Sequence, residues 1–429
     1  MSNEELALYG GVKTITYKLD PYSSLGDEEL HAVQSVVKSG NLSSFIGGWD
    51  DKFFGGPKVK EFEKIIKDYF GVKHAVTVNS WTSGLVCAIG SLNIEPGDEV
   101  IVTPWTMCAT AAAILHWNAI PVFADIEPIT FNLDPESVKK NISYKTKAIL
   151  AADIFGHSCQ LSKLRKIADD NKLYLVTDSA QSPGVLFGDK KTGTQSDVGG
   201  YSLNYHKHIH TGEGGILVTN NDAICERLQL IRNHAEAVVG PKGVTNLSNM
   251  IGHNFRLGEI ECAIGIEQFK KLDKLIATRQ LVAEQLNYGL KNLKGLRIPK
   301  VLKDNTHAYY VYGMVLDIDE LKIPRDLIIK ALLCEGVEGL TSGYSNIHLL
   351  PIFQRKIAYG SKGFPWNSDI CEREISYKKG ICPIAEELHF NSFMGLELCL
   401  FKYNKADVDL IIKAFHKVWN NLDILKKNQ

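Results

Sequence analysis

The segment HKHIH at residues 206–210 contains residue types that could bind a metal ion or perform catalysis. In an extended chain, His206, His208 and His210 would lie on one face and could bind a metal with one further ligand or water. Lys207 would point to the opposite face. A buried lysine with a lowered pKa can instead form an imine with a carbonyl compound. The segment alone leaves both interpretations open.

A second candidate is the segment VNSWTSGL (78–85), which leads from a predicted strand into a predicted helix. Backbone N–H groups near Trp81 and Thr82, together with the Thr82 hydroxyl, could hold a phosphate at the start of that helix. A simple helix cap by Ser80 or Thr82 explains the same residues. No G-x-G-x-x-G sequence opens a helix here, so a dinucleotide-binding site is not indicated.

A third candidate is Asp178, which ends a very apolar predicted strand in the segment LYLVTDSA (173–180). An unpaired carboxylate would be costly at such a position, so it needs a cationic partner or a capping role. A protonated pyridine nitrogen or an arginine would be a suitable cation. This segment alone favours neither the cap nor the cation partner.

The elements that must position these residues alternate between strand and helix. Strands are predicted at 74–78, 99–103, 120–126, 147–156 and 173–180, with amphipathic helical segments between them. Such alternation predicts an α/β fold with a mainly parallel central sheet and helices on both faces. The strands on either side of HKHIH lie too close together for a crossover helix. We expect them to form a hairpin-like pair.

The chain of 429 residues is too long for a single hydrophobic core. A long helical region begins near Gly258 and leads into a mixture of strands and helices after about residue 294. We therefore expect an N-terminal segment (1–30), a large domain (31–285) and a smaller C-terminal α/β domain (286–429).

Composition excludes several functional classes. The formal net charge is −1 and no polybasic block is present, so neither nucleic acid nor an anionic membrane is an expected partner. The nine cysteines lack CxxC spacing, which is typical of free thiols in a reducing compartment. The first residues lack the pattern of a signal peptide, and no apolar run approaches the ~20 residues of a membrane helix. We expect a cytoplasmic protein.

The order of these parts resembles that of fold-type-I pyridoxal 5′-phosphate (PLP) enzymes, with a phosphate-holding turn, a strand-end aspartate and a lysine about 30 residues later. More narrowly, the chain resembles the DegT/StrS family of sugar aminotransferases over roughly residues 25–425. The most specific signal is the sequence GEGG with a lysine five positions before it. The matching segments are GGPKVKEFEKIIKDYFGVKHAVTVNS (55–80), PGDEVIVTPWTMCAT (96–110), DSAQSPG (178–184), YSLNYHKHIHTGEGG (201–215), RNHAE (232–236), GHNFRLGEIECAIG (252–265) and CPIAEELH (382–389).

The resemblance implies roles for three residues at the reactive end of the cofactor. Lys207 has the spacing of the family lysine that forms a Schiff base with PLP, so no metal site is expected. Asp178 should pair with the pyridinium nitrogen and keep it protonated, so that the ring can accept electrons. Gln181 should lie near the phenolic oxygen.

Five further residues should hold the cofactor. The resemblance implies that Trp81, Thr82 and Ser202 bind the phosphate, and that Met107 occupies the position whose side chain usually stacks on the ring. Asn254 matches the family asparagine that reaches the phosphate of the neighbouring subunit. This match implies a homodimer with shared active sites.

Three departures from the family pattern concern the substrate rather than the reaction. The usual Ser-Gly-Thr turn reads SWT (80–82), the stacking aromatic is replaced by Met107 with Trp105 two residues away, and the usual HLYG reads DIFG (153–156). The segment NLSSFIGGWDDKFFGG (41–56) is also longer and more aromatic than usual. It is either a packed surface loop or a substrate lid.

The resemblance implies a PLP-dependent aminotransferase that aminates a keto sugar, expected to be nucleotide-linked, with glutamate or glutamine as amino donor. Its place would be amino-sugar, surface-polysaccharide or natural-product biosynthesis. One alternative is a PLP- or pyridoxamine-phosphate-dependent deoxysugar dehydratase, although relatives of that kind carry histidine in place of Lys207. Another is a PLP-bound sensor or scaffold that has lost catalysis.

Overall fold

The computed structural model describes residues 5–428. Its strands are β1 His74–Val78, β2 Glu99–Val102, β3 Ile120–Phe123, β4 Thr146–Ala152, β5 Tyr174–Asp178, β6 Leu186–Phe187, β7 Lys190–Lys191, β8 Val198–Ser202, β9 Gly215–Thr219, β10 Leu296–Arg297, β11 Val311–Leu316, β12 Leu340–Ser342 and β13 Phe393–Glu397. Its helices are α1 Asp27–Ser39, α2 Pro57–Phe70, α3 Trp81–Ser91, α4 Ala109–His116, α5 Pro135–Asn141, α6 Leu161–Asp170, α7 Asp222–Arg232, α8 Ala235–Lys242, α9 Glu259–Leu290, α10 Ile318–Leu321, α11 Arg325–Cys334, α12 Pro351–Gln354, α13 Pro383–Glu387, α14 Lys405–Asn420 and α15 Leu422–Lys427.

Seven strands form the central sheet, in the order β1-β9-β8-β5-β4-β2-β3. The pairs β5–β8, β4–β5, β2–β4 and β2–β3 are parallel, whereas β9 runs antiparallel to both β1 and β8. The predicted α/β fold and the hairpin-like pair of strands are therefore confirmed. In the register of the sheet, Asp178 at the end of β5 lies between Ala152 of β4 and Gly200 of β8. The strand ends thus converge on one edge.

A second sheet is antiparallel, with the order β10-β11-β13-β12, and it packs with α9, α11 and α14 around its own apolar cluster. Helix α9 belongs to both parts of the fold. Its residues up to Ile276 pack with the large sheet, and those from Val282 onward pack with the small one. The predicted boundary at residues 285/286 therefore falls inside a continuous helix. One helix can pack its first part into one core and its second part into the other. A single boundary residue therefore does not divide the two domains.

Part of the predicted small domain returns to the large core. Phe353 meets Phe123 of β3 with ring centroids 5.2 Å apart, and the Tyr377 hydroxyl donates to the carbonyl of Pro121 at 2.8 Å. In the opposite direction, Leu6 and Ile15 of the N-terminal segment are buried in the small-domain cluster. The three-part division of the chain stays a prediction, and these contacts cross its boundaries.

The aromatic segment 41–56 is packed against its own chain. Phe53 is fully buried, and Trp49 makes an edge contact with it at 5.5 Å between ring centroids. The Asn233 amide donates to the carbonyls of Ile46 and Phe53. These contacts match the packed-loop interpretation of the segment. Within residues 5–428, no helix is long and apolar enough to cross a bilayer.

Candidate active site

A cavity of about 190 Å³ opens where the carboxyl ends of β4, β5 and β8 meet the first turns of α3 and α4. This is the edge at which open parallel sheets bind ligands. Seven of the eight predicted site residues line it, namely Trp81, Thr82, Met107, Asp178, Gln181, Ser202 and Lys207. The sheet therefore brings together residues that are more than a hundred positions apart in the sequence.

Lys207 lies in a turn after β8 and is only 8% exposed. Its Nζ lies 4.4 Å from the centre of the Tyr310 ring, which is a favourable position for a cation. Burial lowers the pKa of Lys207 to about 8, and the opposing attraction of Asp178 is the smaller effect. At pH 7 roughly a tenth of the amine is then unprotonated, far more than at the usual lysine pKa of about 10.4, and this is the form that a nucleophile or a general base requires.

The three histidines around Lys207 diverge because the segment is a turn and not an extended strand. His206 lines the cavity, whereas His208 is fully buried and its Nε2 lies 3.1 Å from the carbonyl oxygen of Gln181. His210 accepts a hydrogen bond from the backbone N–H of Gly212. In the part of the chain that the structure describes, no three His, Cys, Asp or Glu residues are placed to hold a metal.

Asp178 is held at the floor of the cavity by three donors. The Trp81 indole Nε1 donates to Oδ1 at 2.7 Å, the Thr110 hydroxyl donates to Oδ2 at 2.8 Å, and the backbone N–H of Ala180 donates to Oδ1 at 3.2 Å. Burial raises the pKa of Asp178, while these donors and the charge of Lys207 act in the opposite direction. The capping contact is present, but the carboxylate also faces a cavity that could hold a cation.

Trp81 fills the position where the family pattern has glycine, and its ring points inward. Two glycines make room for it, because a Cβ atom at Gly200 or Gly84 would lie 2.3 or 2.6 Å from the indole ring. The Ser80 hydroxyl caps α3 by accepting from the N–H of Ser83 at 3.0 Å, so the capping interpretation of Ser80 is confirmed. The first N–H groups of a helix, here those of Trp81 and Thr82, have no intrahelical acceptor and can bind an anion.

Gln181 is fixed by contacts at both ends of its amide. Its Oε1 accepts from the backbone N–H of Phe155 at 2.7 Å, and its Nε2 donates to the Tyr344 hydroxyl at 3.3 Å. Phe155 has a φ of +57°, which is an unfavourable conformation for a non-glycine residue. This conformation directs the N–H group of the DIFG segment toward Gln181 and away from the sheet.

Sequence reasoning missed Thr110, Tyr310 and Tyr344 as residues of the site. Thr110 could have been found, because it lies in the first turn of the predicted helix that follows Met107, at the carboxyl end of the preceding strand. The two tyrosines come from the predicted small domain, and no local pattern marks them as neighbours of Lys207.

A second cavity of about 370 Å³ adjoins the first and shares Thr106 and Met107 with it. Met107 is 62% exposed at this junction, whereas Trp105 is fully buried and makes an edge contact with Phe393 at 5.4 Å. Trp105 therefore does not face either cavity. Most of the remaining lining residues are aromatic or carry a hydroxyl group, and Glu397 adds one carboxylate. The full set is Phe155, Tyr310, Val311, Thr341, Gly343, Tyr344, Ser345, Phe393 and Glu397.

Asn254 is exposed and does not line either cavity of its own chain. Its Oδ1 accepts from Arg256 Nε at 2.7 Å, and its carbonyl accepts from the Asn79 amide at 3.3 Å. Asn79 immediately precedes Ser80, the cap of α3, so Asn254 lies on the surface close to the start of α3.

The first cavity suits the three functional groups of PLP. The start of α3 offers N–H donors for a phosphate, Asp178 offers an anionic partner for a protonated pyridine nitrogen, and Lys207 offers a primary amine for an aldehyde. Each group would meet a different wall of the cavity.

Comparison with known proteins agrees with this geometry. The model of the DegT/DnrJ/EryC1/StrS aminotransferase family matches residues 25–380. The chain is 32% identical to the GDP-perosamine synthase of Vibrio cholerae over 84% of this chain and 93% of the relative. It is 30% identical to the spore coat polysaccharide biosynthesis protein SpsC of Bacillus subtilis over 83% and 91%, respectively.

The fold agrees as well. The crystal structure of an aminotransferase from Psychrobacter cryohalolentis superposes with a TM-score of 0.80 at 25% identity, covering 94% of this chain and all of that one. It follows that this chain belongs to the DegT/DnrJ/EryC1/StrS aminotransferase family and is a PLP-dependent aminotransferase.

Proposed function

We propose that the enzyme transfers the amino group of glutamate or glutamine to a nucleotide-linked keto sugar. The observation that carries the proposal is the burial of the Lys207 amine and the Asp178 carboxylate in one cavity at the edge of the sheet. The similarity to a GDP-perosamine synthase supports a nucleotide-linked substrate. Cytoplasmic location stays a prediction that fits such a substrate.

In this proposal Asp178 stabilises the charge of the cofactor ring, and Lys207 transfers protons. PLP, when bound, acts as an electron sink that carries the amino group from donor to acceptor. Asp178 keeps the pyridine nitrogen protonated, with its own charge stabilised by Trp81 and Thr110. Lys207 Nζ moves a proton on and off the reacting carbon, a task for which a pKa of about 8 is well suited. Tyr310 lies against Nζ and limits its movement.

The phosphate is bound by the N–H groups of Trp81 and Thr82 and by the hydroxyl of Ser202. The Ser202 oxygen accepts from the backbone N–H of Asn204 at 3.2 Å, which leaves its own proton available to a phosphate oxygen. We assign the remaining contact to Asn254 of a partner subunit, because Asn254 is exposed next to Asn79 and is absent from the cavities of its own chain. The active form is then a homodimer.

The second cavity is the proposed site of the sugar ring. It adjoins the cofactor cavity at Met107, and the rings of Tyr310 and Tyr344 offer apolar faces for the C–H bonds of a sugar. Hydroxyl groups and the Glu397 carboxylate offer partners for sugar hydroxyls. Because no lysine or arginine among the described residues lines this cavity, the charged nucleotide would extend beyond it.

The test uses the purified PLP-loaded enzyme. Glutamate or glutamine should shift the cofactor absorbance, and the resulting pyridoxamine form should aminate members of a panel of nucleotide-linked keto sugars, as read by mass spectrometry. A cofactor band that no donor shifts would support the sensor. A product that has lost water without gaining nitrogen would identify a dehydratase, and amination of only free keto sugars would overturn the nucleotide linkage.

A further inference from the structure

A third cavity, of about 60 Å³, is lined by residues of α9 and of the segment after β13, and it contains an arginine with no ion-pair partner among the described residues. Arg279 of α9 is only 4% exposed and lines this cavity. Its Nη1 donates to the carbonyl of Leu275 at 3.2 Å. Its Nε and Nη2 have no protein acceptor within residues 5–428. A buried guanidinium without an anionic partner is energetically costly.

The side chains around Arg279 are apolar, hydroxyl-bearing or cationic. The Tyr22 ring lies 4.6 Å from the guanidinium carbon, and its buried hydroxyl likewise has no partner among the described residues. Lys402 lines the same cavity and forms no ion pair in the described part of the chain. The remaining lining residues carry no carboxylate and are Leu275, Thr278, Val282, Leu398, Phe401 and Tyr403.

The buried thiol of Cys399 hydrogen-bonds to Arg279, so its charge state bears on the guanidinium. Burial raises the pKa of Cys399, although Arg279 and Lys207 oppose this effect. The thiol therefore stays neutral near pH 7 and does not neutralise the guanidinium. Its sulfur lies 3.8 Å from Nδ1 of His208, so the charge of Arg279 is separated from Lys207 by only these two side chains.

We propose that this cavity is a binding site for a small carboxylate anion. The Nε and Nη2 hydrogens of arginine form parallel donors that match the two oxygens of a carboxylate. The Tyr22 hydroxyl supplies a third donor, and Lys402 places a second positive charge at the mouth. A cavity of about 60 Å³ is several times the ~10–15 Å³ needed to hold one water molecule, so it has room for an anion of acetate size. The apolar walls suit its methyl group.

Thermal unfolding of the PLP-loaded enzyme tests the proposal, with sodium acetate as the probe. We expect the Tm to rise with acetate and to saturate, because a ligand that binds only the native state stabilises by RT ln(1 + [L]/Kd). At ten times the half-saturating concentration, the folding equilibrium constant should increase about elevenfold. Sodium chloride at equal ionic strength and neutral acetamide should give no saturable increase.

Variants locate the effect. Tyr22→Phe and Lys402→Gln should each weaken acetate binding at least about threefold. Tyr288→Phe removes the hydroxyl of an exposed tyrosine on α9, the helix that carries Arg279, and should leave acetate binding unchanged. Arg279→Lys retains the charge but loses the paired donors, and it should weaken binding further. The two milder variants keep the test valid if this one fails to fold.

Several results would overturn the proposal. No saturable effect of acetate on the Tm would mean that water accepts the hydrogen bonds of Arg279 Nε and Nη2. An equal effect of chloride would exclude a site that is specific for carboxylates. An acetate effect that disappears in Lys207→Ala but persists in Tyr22→Phe would place acetate in the catalytic cavity instead. An effect retained in Lys207→Ala and weakened in Tyr22→Phe is the expected pattern.

Discussion

The indole N–H of Trp81 donates a 2.7 Å hydrogen bond to the carboxylate of Asp178, the residue that ends β5. In the family pattern the position of Trp81 belongs to a glycine of the phosphate-binding turn. Here the side chain extends from the start of α3 to the floor of the cofactor cavity. One residue thus connects the proposed phosphate end of the cavity with the proposed pyridine end.

Trp81→Phe should weaken cofactor binding about tenfold to a hundredfold, because a hydrogen bond to a charged group contributes about 1.5–3 kcal/mol. The aromatic ring remains and still fills the space above Gly200. The measurement is the PLP dissociation constant from titration of the apoenzyme. The matched control is Trp117→Phe, whose buried indole donates to the Val86 carbonyl at 2.8 Å. Equal losses in both variants would contradict a special role for the Trp81 contact.

Asp178→Asn should retain the fold and reduce kcat at least about a hundredfold, since removing one partner of a buried charge pair costs about 3–5 kcal/mol. The amide oxygen can still accept from Trp81, and the Thr110 hydroxyl can turn to accept from the amide nitrogen. Steady-state kinetics measure the loss of kcat, and circular dichroism checks that the fold is retained. Asp125→Asn is the control, because Asp125 is also buried but accepts from the backbone of Ile384 and Ala385. Near-normal turnover of Asp178→Asn would mean that Asp178 only caps the local backbone and is not a charge partner of the cofactor.

The reaction of apoenzyme with PLP should accelerate as the pH rises through about 8. The pKa of Lys207 is lowered to about 8 by burial, so below that pH the amine is protonated and cannot attack the aldehyde. The rate should rise about tenfold per pH unit below 8 and level off above it. Stopped-flow absorbance measures this dependence, with a simple alkylamine, whose pKa lies near 10.4, as the reference. A midpoint close to that of the reference would contradict the burial of the amine.

Asn254 should act on the cofactor of the partner subunit. When Lys207→Ala subunits exchange with Asn254→Ala subunits, one site of each heterodimer carries both lesions and the other carries neither. Activity should therefore reappear beyond that of either parent, and rate assays after subunit exchange measure the gain. Confirmed heterodimers without any gain, with an impaired Asn254→Ala parent, would place Asn254 in its own subunit's site.

Much of the fold followed from local pattern. The alternation of apolar strands and amphipathic helices predicted β1 to β5, and the short spacing between β8 and β9 predicted their antiparallel pairing. The position of Asp178 at the end of a strand was also readable from local pattern, whereas Lys207 was identified by its spacing from GEGG in the family resemblance. These features depend on residues close together in the sequence.

Features that depend on distant contacts could not be predicted. The inward direction of Trp81 requires the open space above Gly200, which lies on a strand more than a hundred residues later. Tyr310 reaches Lys207 from the segment before β11, and no periodicity indicates that approach. The extent of α9 was visible as a pattern, but its division between two cores at Ile276 and Val282 depends on what each stretch meets.

The central claim is that Lys207 is the amine that reacts with PLP, and covalent trapping tests it most directly. The PLP-loaded enzyme is reduced with borohydride, digested and sequenced by mass spectrometry. We predict a stable pyridoxyl group on the peptide that contains Lys207, at close to one per subunit, and none after the same treatment of Lys207→Ala. A pyridoxyl group on a different lysine, or a stoichiometry unchanged in Lys207→Ala, would contradict the assignment.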